Sequence, residues 1–123
     1  MHELSLCQDL IDQVTELARK HKARAVSSVK VQIGQLAGVE PLLLASAFTI
    51  ARAGTVAEQA EMITEVVSPR VACTACGVES DVTPANLMCS ACGSNDTRLI
   101  RGDELILARV ELEVEEASNS VES

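Results

Sequence analysis

The stretch Cys73-Thr-Ala-Cys76-Gly77, followed by Val78-Glu-Ser-Asp-Val-Thr-Pro-Ala-Asn-Leu-Met88 and Cys89-Ser-Ala-Cys92-Gly93, decides how the rest of the chain must be read. It holds four of the five cysteines as two CxxC pairs with twelve residues between them. A CxxC turns into a tight knuckle whose two thiolates face one centre, and the glycine after each pair permits the left-handed backbone such a turn needs. Two knuckles supply four sulfurs, the complete ligand set of a tetrahedral zinc. No position is left open for substrate, so the zinc is expected to be structural. An iron–sulfur cluster could use the same ligands. Redox dithiols of the thioredoxin kind usually come singly, on a strand–helix turn. Four thiolates and one zinc take the formal charge from −8 to about −10.

Outward from the cysteines, residues 70–102 carry three glycines and no long periodic segment, so they read as a metal-held insertion. Residues 104–114 resume alternation, with Ile106, Ala108, Val110, Leu112 and Val114 on one face and Arg109, Glu111 and Glu113 on the other. That strand is expected to return to a sheet built earlier in the chain. The earlier elements are a helix over 4–22 (Leu6, Leu10, Val14 and Leu17, with Cys7, Ile11 and Ala18 beside them) and a strand over 26–34. A helix from Pro41 to about Ala53, ended by Gly54, and a strand over 60–67 closed by Pro69 complete them. The expected fold is α+β: two helices packed on a three-stranded sheet, with a zinc-ribbon-like CxxC/CxxC domain inserted before the last strand. The expected domains are 1–69 with 103–114, and 70–102; the acidic, polar tail 115–123 reads as disordered. Cys7 reads as a small buried hydrophobe.

Composition excludes several functions. The chain has 123 residues, 47% of them hydrophobic, but Phe48 is the only aromatic. Modules that stack bases or sugars on aromatic platforms are disfavoured. With 10 basic and 18 acidic residues the general field repels nucleic acid. A zinc-ribbon module for nucleic acid or protein is the alternative reading, but Arg70, Arg98 and Arg101 make a thin phosphate footprint. No apolar run reaches the ~20 residues of a membrane span. The opening MHELSLCQDL has acids and no basic segment, so it does not read as a signal peptide, and a cytoplasmic protein is expected. No phosphate loop, metalloprotease helix or nucleophile motif is present, so an enzyme is not expected.

The first three residues, Met1-His2-Glu3, offer specific chemistry. A free terminal amine, the backbone nitrogen of residue 2 and the imidazole Nδ1 of His2 form fused chelate rings. The backbone nitrogen of Glu3 can complete four nitrogens in a plane, a set that suits Ni(II) or Cu(II). The ordinary reading of a His at such a place is a frayed, solvated residue.

These residues together resemble a known family. The opening MHELSL, the loop GQLAGVEP (Gly34–Pro41), AGT followed by AEMITEV, the two CxxC pairs and GDELILARVELEV are similar to the HypA/HybF-type hydrogenase maturation factors. The resemblance covers nearly the whole chain. It implies a nickel metallochaperone that binds Ni(II) weakly at the amino terminus and delivers it to the [NiFe]-hydrogenase large-subunit precursor. It also implies a HypB-type GTPase partner, service to urease in some members, and a structural zinc in the cysteine domain. Carried over by position, nickel would be held by the Met1 amine, His2 and the Glu3 backbone nitrogen. Glu40 stands where members have an acidic residue near nickel, although a helix N-terminal acid would be found there anyway. Zinc would be held by Cys73, Cys76, Cys89 and Cys92. Some relatives carry a histidine in or near the zinc domain; here the only other histidine is His21, read as a solvated residue of the first helix. Thr64 stands at a strand position where an aliphatic residue would be usual. The chain is expected to be a monomer or weak homodimer, since a sheet edge is left open.

Overall fold

A computed structural model describes residues 2–114, with His2 described by its backbone alone. Met1 and the tail 115–123 lie outside the described residues, as does the expectation of disorder in that tail. The elements run α1 (His2–Lys20), β1 (Ala23–Gly34), α2 (Pro41–Ala51), β2 (Glu61–Val67), β3 (Arg70–Cys73), β4 (Glu79–Asp81), β5 (Thr97–Arg101) and β6 (Leu105–Val114). They form two three-stranded sheets, ordered β2-β1-β6 and β4-β3-β5. The α+β class read from the sequence is the one observed. The cysteine region, read as a zinc-ribbon-like insertion without a long periodic segment, has a small sheet of its own.

The chain divides into two compact units. One holds the chain through Val31, then Glu40–Thr64, then the chain from Leu107; the other holds Gln32–Val39 and Glu65–Ile106.

In the first unit α1 packs on α2. Cys7, Leu10, Ile11, Val14 and Ala18 of α1 are buried, spaced three, four and seven apart so that they share one face. The stripe is centred nearer Cys7 than the spacing alone indicates, for Leu6 and Leu17 are only half-buried. The helix ends after Lys20 with Lys22 in the left-handed region, φ 57°. α2 has no charged residue, yet it buries only Leu44 and Phe48 and leaves Leu42, Leu43 and Ile50 exposed. Val26, Val29 and Val31 of β1 and Ala57 and Ala60 beyond α2 complete the core. Among the described residues no charged side chain is buried.

β1 is the central strand. Opposite Ser27, Gly34 and Leu36 stand Glu111, Glu104 and Gly102, the falling count of an antiparallel pair with β6. Gln32 meets Glu65 and the Gln35 N–H donates to the Val67 carbonyl, the rising count of a parallel pair with β2. Parallel strands need a crossover, and α2 supplies it. In β6 the half-buried residues are Leu105, Leu107, Val110, Leu112 and Val114. Ile106 and Ala108 are exposed, so the alternation read from sequence is corrected: it slips by one residue at Ala108–Arg109, where two exposed residues follow each other. Thr64 is half-buried on β2, and its hydroxyl is tolerated because that strand is an edge.

Within the second unit three backbones meet closely. A Cβ added to Gly34 would lie 2.2 Å from the Gly102 carbonyl, and one added to Gly102 (φ 114°) would lie 2.6 Å from Pro69 Cα. Only glycine fits at both positions.

Candidate metal centres

The two CxxC turns are built alike. In the first, the Cys73 N–H donates to the Val78 carbonyl at 3.0 Å and the Gly77 N–H to the Cys73 carbonyl at 2.9 Å. In the second, the Cys89 N–H donates to Ser94 at 3.0 Å and the Gly93 N–H to Cys89 at 2.8 Å. Gly77 and Gly93 both have φ of 77°, the left-handed value that lets the chain double back past the second sulfur. The Cys76 N–H points at Cys73 Sγ and the Cys92 N–H at Cys89 Sγ, each at 3.4 Å.

The small sheet aims the knuckles at each other. β3 pairs antiparallel with β4 and with β5. Thr74 donates through both its N–H and its hydroxyl to the Asp96 carbonyl. The Ser90 hydroxyl donates to the Asp81 carbonyl at 2.8 Å and the Thr97 hydroxyl to that of Leu87 at 2.9 Å. The result brings all four sulfurs within 4.8 Å of one another. Cys73 Sγ contacts Cys92 Sγ at 3.6 Å and Cys76 Sγ contacts Cys89 Sγ at 3.7 Å. Cys73 and Cys89 are buried, and Cys76 and Cys92 face solvent.

Electrostatics favour a cation at this centre. The N–H of Cys92, and then that of Ala91, lower the Cys89 thiol to about 6. The Cys76 N–H lowers Cys73 in the same way. The Ser94 N–H also lowers Cys92, but the neighbouring Cys73 sulfur and burial outweigh it and push that thiol up to about 12. Four sulfurs this close cannot all ionise without a positive charge among them. A tetrahedral dication removes the conflict, and thiolate donors with amide hydrogen bonds fit zinc.

Of the amino-terminal residues, Met1 and the His2 side chain lie outside the described residues. The backbone of His2 opens α1, and Glu3 sits half-buried in its first turn. Glu3 and Leu4 line a groove with Leu43, Ser46, Ala47 and Ile50 of α2. Glu40 is the N-cap of α2, and its carboxylate accepts from the Leu42 N–H at 3.3 Å. Cys7 is fully buried, its thiol directed at the Leu44 carbonyl and pushed up to about 11 by burial and then by Glu3. It is an inert packing group.

Two of the three arginines near the knuckles are committed within the small sheet. Arg70 pairs with Asp81 at 2.8 Å and Arg101 with the same carboxylate at 3.3 Å. Sequence reasoning missed Asp81. Its only signal was that it is one of two acids, with Glu79, among the twelve residues between the pairs, which a short hairpin would set beside Arg70.

Comparison with known proteins gives one answer. Residues 1–112 match the family model described as hydrogenase/urease nickel incorporation, metallochaperone, HypA. A hydrogenase maturation factor HypA of Aquifex aeolicus is 44% identical over 115 residues, covering 94% of this chain and all of its own. The HypA of Nitrosospira multiformis is 47% identical over 112 residues, 91% of this chain and 97% of its own. The solution structure of the Ni metallochaperone HypA from Helicobacter pylori superposes with a TM-score of 0.72 at 25% identity, covering 92% of this chain and 98% of that one. No described helix is long and apolar enough to cross a membrane. The sheet order, the paired knuckles and these likenesses agree: the chain belongs to the HypA family of nickel metallochaperones for hydrogenase maturation.

Proposed function

We propose that the chain carries Ni(II) at its amino terminus, bound by the Met1 amine, His2 and the Glu3 backbone nitrogen, and hands it to the [NiFe]-hydrogenase large-subunit precursor in the cytoplasm. It does this with a HypB-type GTPase and without catalysis of its own. Zinc, held by Cys73, Cys76, Cys89 and Cys92, organises the cysteine domain of residues 70–102. Residues 1–69 with 103–114 form the nickel-binding domain, in a monomer or weak homodimer.

The observation that carries the nickel reading is that α1 begins at His2. The first amides of a helix have no acceptor within it, so the nitrogens of residues 2 and 3 can bind metal without breaking a helical bond. The helix dipole opposes a cation there, and loss of amide protons offsets it. Binding that is weak and strengthens with pH follows, which suits a carrier that must release its load.

The test is nickel and zinc stoichiometry on untagged protein. His2→Ala is expected to abolish nickel binding with zinc held at one per chain. Nickel titration retained in that variant sinks the assignment. Hydrogenase and urease activation assays in cells lacking the protein then separate the two targets. The nucleic-acid reading is weakened by the ion pairs of Arg70 and Arg101 with Asp81, which leave Arg98 as the remaining base of that cluster.

A further inference from the structure

The four sulfurs are unequal in a way that zinc binding alone does not require. Each knuckle exposes its second cysteine and buries its first. The sulfur–sulfur contacts at 3.6 and 3.7 Å run across the knuckles, and each joins one exposed sulfur to one buried sulfur. Exposed thiolates meet an oxidant from solvent, whereas buried ones meet only their neighbours.

We propose that Cys76 and Cys92 form a thiol–disulfide exchange site, at which a small-molecule disulfide oxidant converts the centre into Cys73–Cys92 and Cys76–Cys89 disulfides and expels its metal. The Cys92 thiolate attacks one sulfur of the oxidant, its S–S bond breaks, and one small thiolate leaves. Cys73 Sγ, 3.6 Å away, then attacks the Cys92 sulfur and a second small thiolate leaves. Cys76 and Cys89 repeat the sequence across 3.7 Å. Four protein thiolates lose four electrons, two oxidant disulfides gain them, and the dication departs unchanged in valence. Bonds inside a knuckle, Cys73–Cys76 and Cys89–Cys92, are the competing pairing, and the contacts at 3.6 and 3.7 Å favour the bonds across the knuckles. Metal expulsion, and the ionised state of Cys92 that opens the sequence, rest on the zinc reading above; the choice of partners rests on the sulfur–sulfur contacts alone.

The test treats native untagged protein with 2,2′-dithiodipyridine. Zinc measured beforehand checks the zinc reading separately: a metal-free starting protein overturns that reading and leaves the pairing open to the same mapping. The expected result is four thiopyridones released per chain, no mixed disulfide left on the protein, and zinc freed in step. Cys7, fully buried, stays out of the count. Cleavage after Glu79, which lies between the knuckles, should leave the two fragments joined until reduction, and tandem mass spectrometry should read 73–92 and 76–89. Fragments that separate without reduction, any other pairing, a lasting mixed disulfide or any other thiopyridone count overturns the proposal. Reduction with added zinc should restore one metal per chain.

Discussion

The helical unit and the cysteine unit solve the same problem with different materials. The first buries side chains from four stretches of sequence, among them Val14, Val29, Leu44 and Phe48, and each fully buried group of this kind contributes roughly 1.5–3 kcal/mol. The second has few buried apolar groups besides its cysteines, with Val71, Val82 and Ile33 the main ones. Its sheet strands are of three to five residues, too short to stand alone. A metal held by the four thiolates would supply on the order of 10 kcal/mol at one point, as much as a small core. One unit is therefore stable by distributed contacts and the other by a single centre.

The harshest way to break that contrast is to remove a ligand. Cys89→Ala, or a strong chelator acting on the native chain, is expected to abolish metal binding and unfold the cysteine unit while α1 and α2 persist. Metal analysis with far-ultraviolet circular dichroism reads both, and a proportional loss of helix contradicts the contrast. Acid should act the same way more gently. The Cys89 thiol is lowered from its ordinary 9.0 to about 6, so its charged form is favoured above about 6 and lost as pH falls through that value. Bound metal holds the thiolates deprotonated below that value, so release by proton competition is expected only in more acid medium, with helical signal retained; helix lost in step with the metal goes against it. Phe48→Ala tests the other material. It should cost about 4 kcal/mol in urea unfolding of the helical unit and leave the cysteine centre's metal content unchanged. Least of all should Glu40→Ala matter: about 1 kcal/mol from the lost cap, recovered by Glu40→Asn. Nickel affinity that falls in both variants assigns Glu40 to the metal instead.

The same contrast explains what the sequence made readable. The four-cysteine cluster was legible because a CxxC turn is local: the sulfurs, the following Gly77 and Gly93, and the amide contacts all lie within a few residues. α1 and β1 were legible because apolar periodicity reports a buried face directly. β3, β4 and β5 were not, since strands of this length are held by pairing across the chain and carry no pattern of their own. The slip at Ala108–Arg109 was hidden for a related reason: alternation continues in the letters while the backbone shifts phase. Glu40 could be read as a cap or a metal neighbour, and only the bond to Leu42 N–H shows what its carboxylate does among the described residues. Asp81 gained its meaning from β4 pairing with β3, which sets it opposite Arg70.

The close meeting of Gly34, Pro69 and Gly102 has a topological consequence. The chain leaves for the cysteine knuckles just after Pro69 and comes back at Gly102, and these two backbones already touch. Everything between them is a closed excursion that begins and ends at one point. The length of such a segment is therefore not dictated by the spacing of β2 and β6 on either side of β1, which is set where its two ends meet.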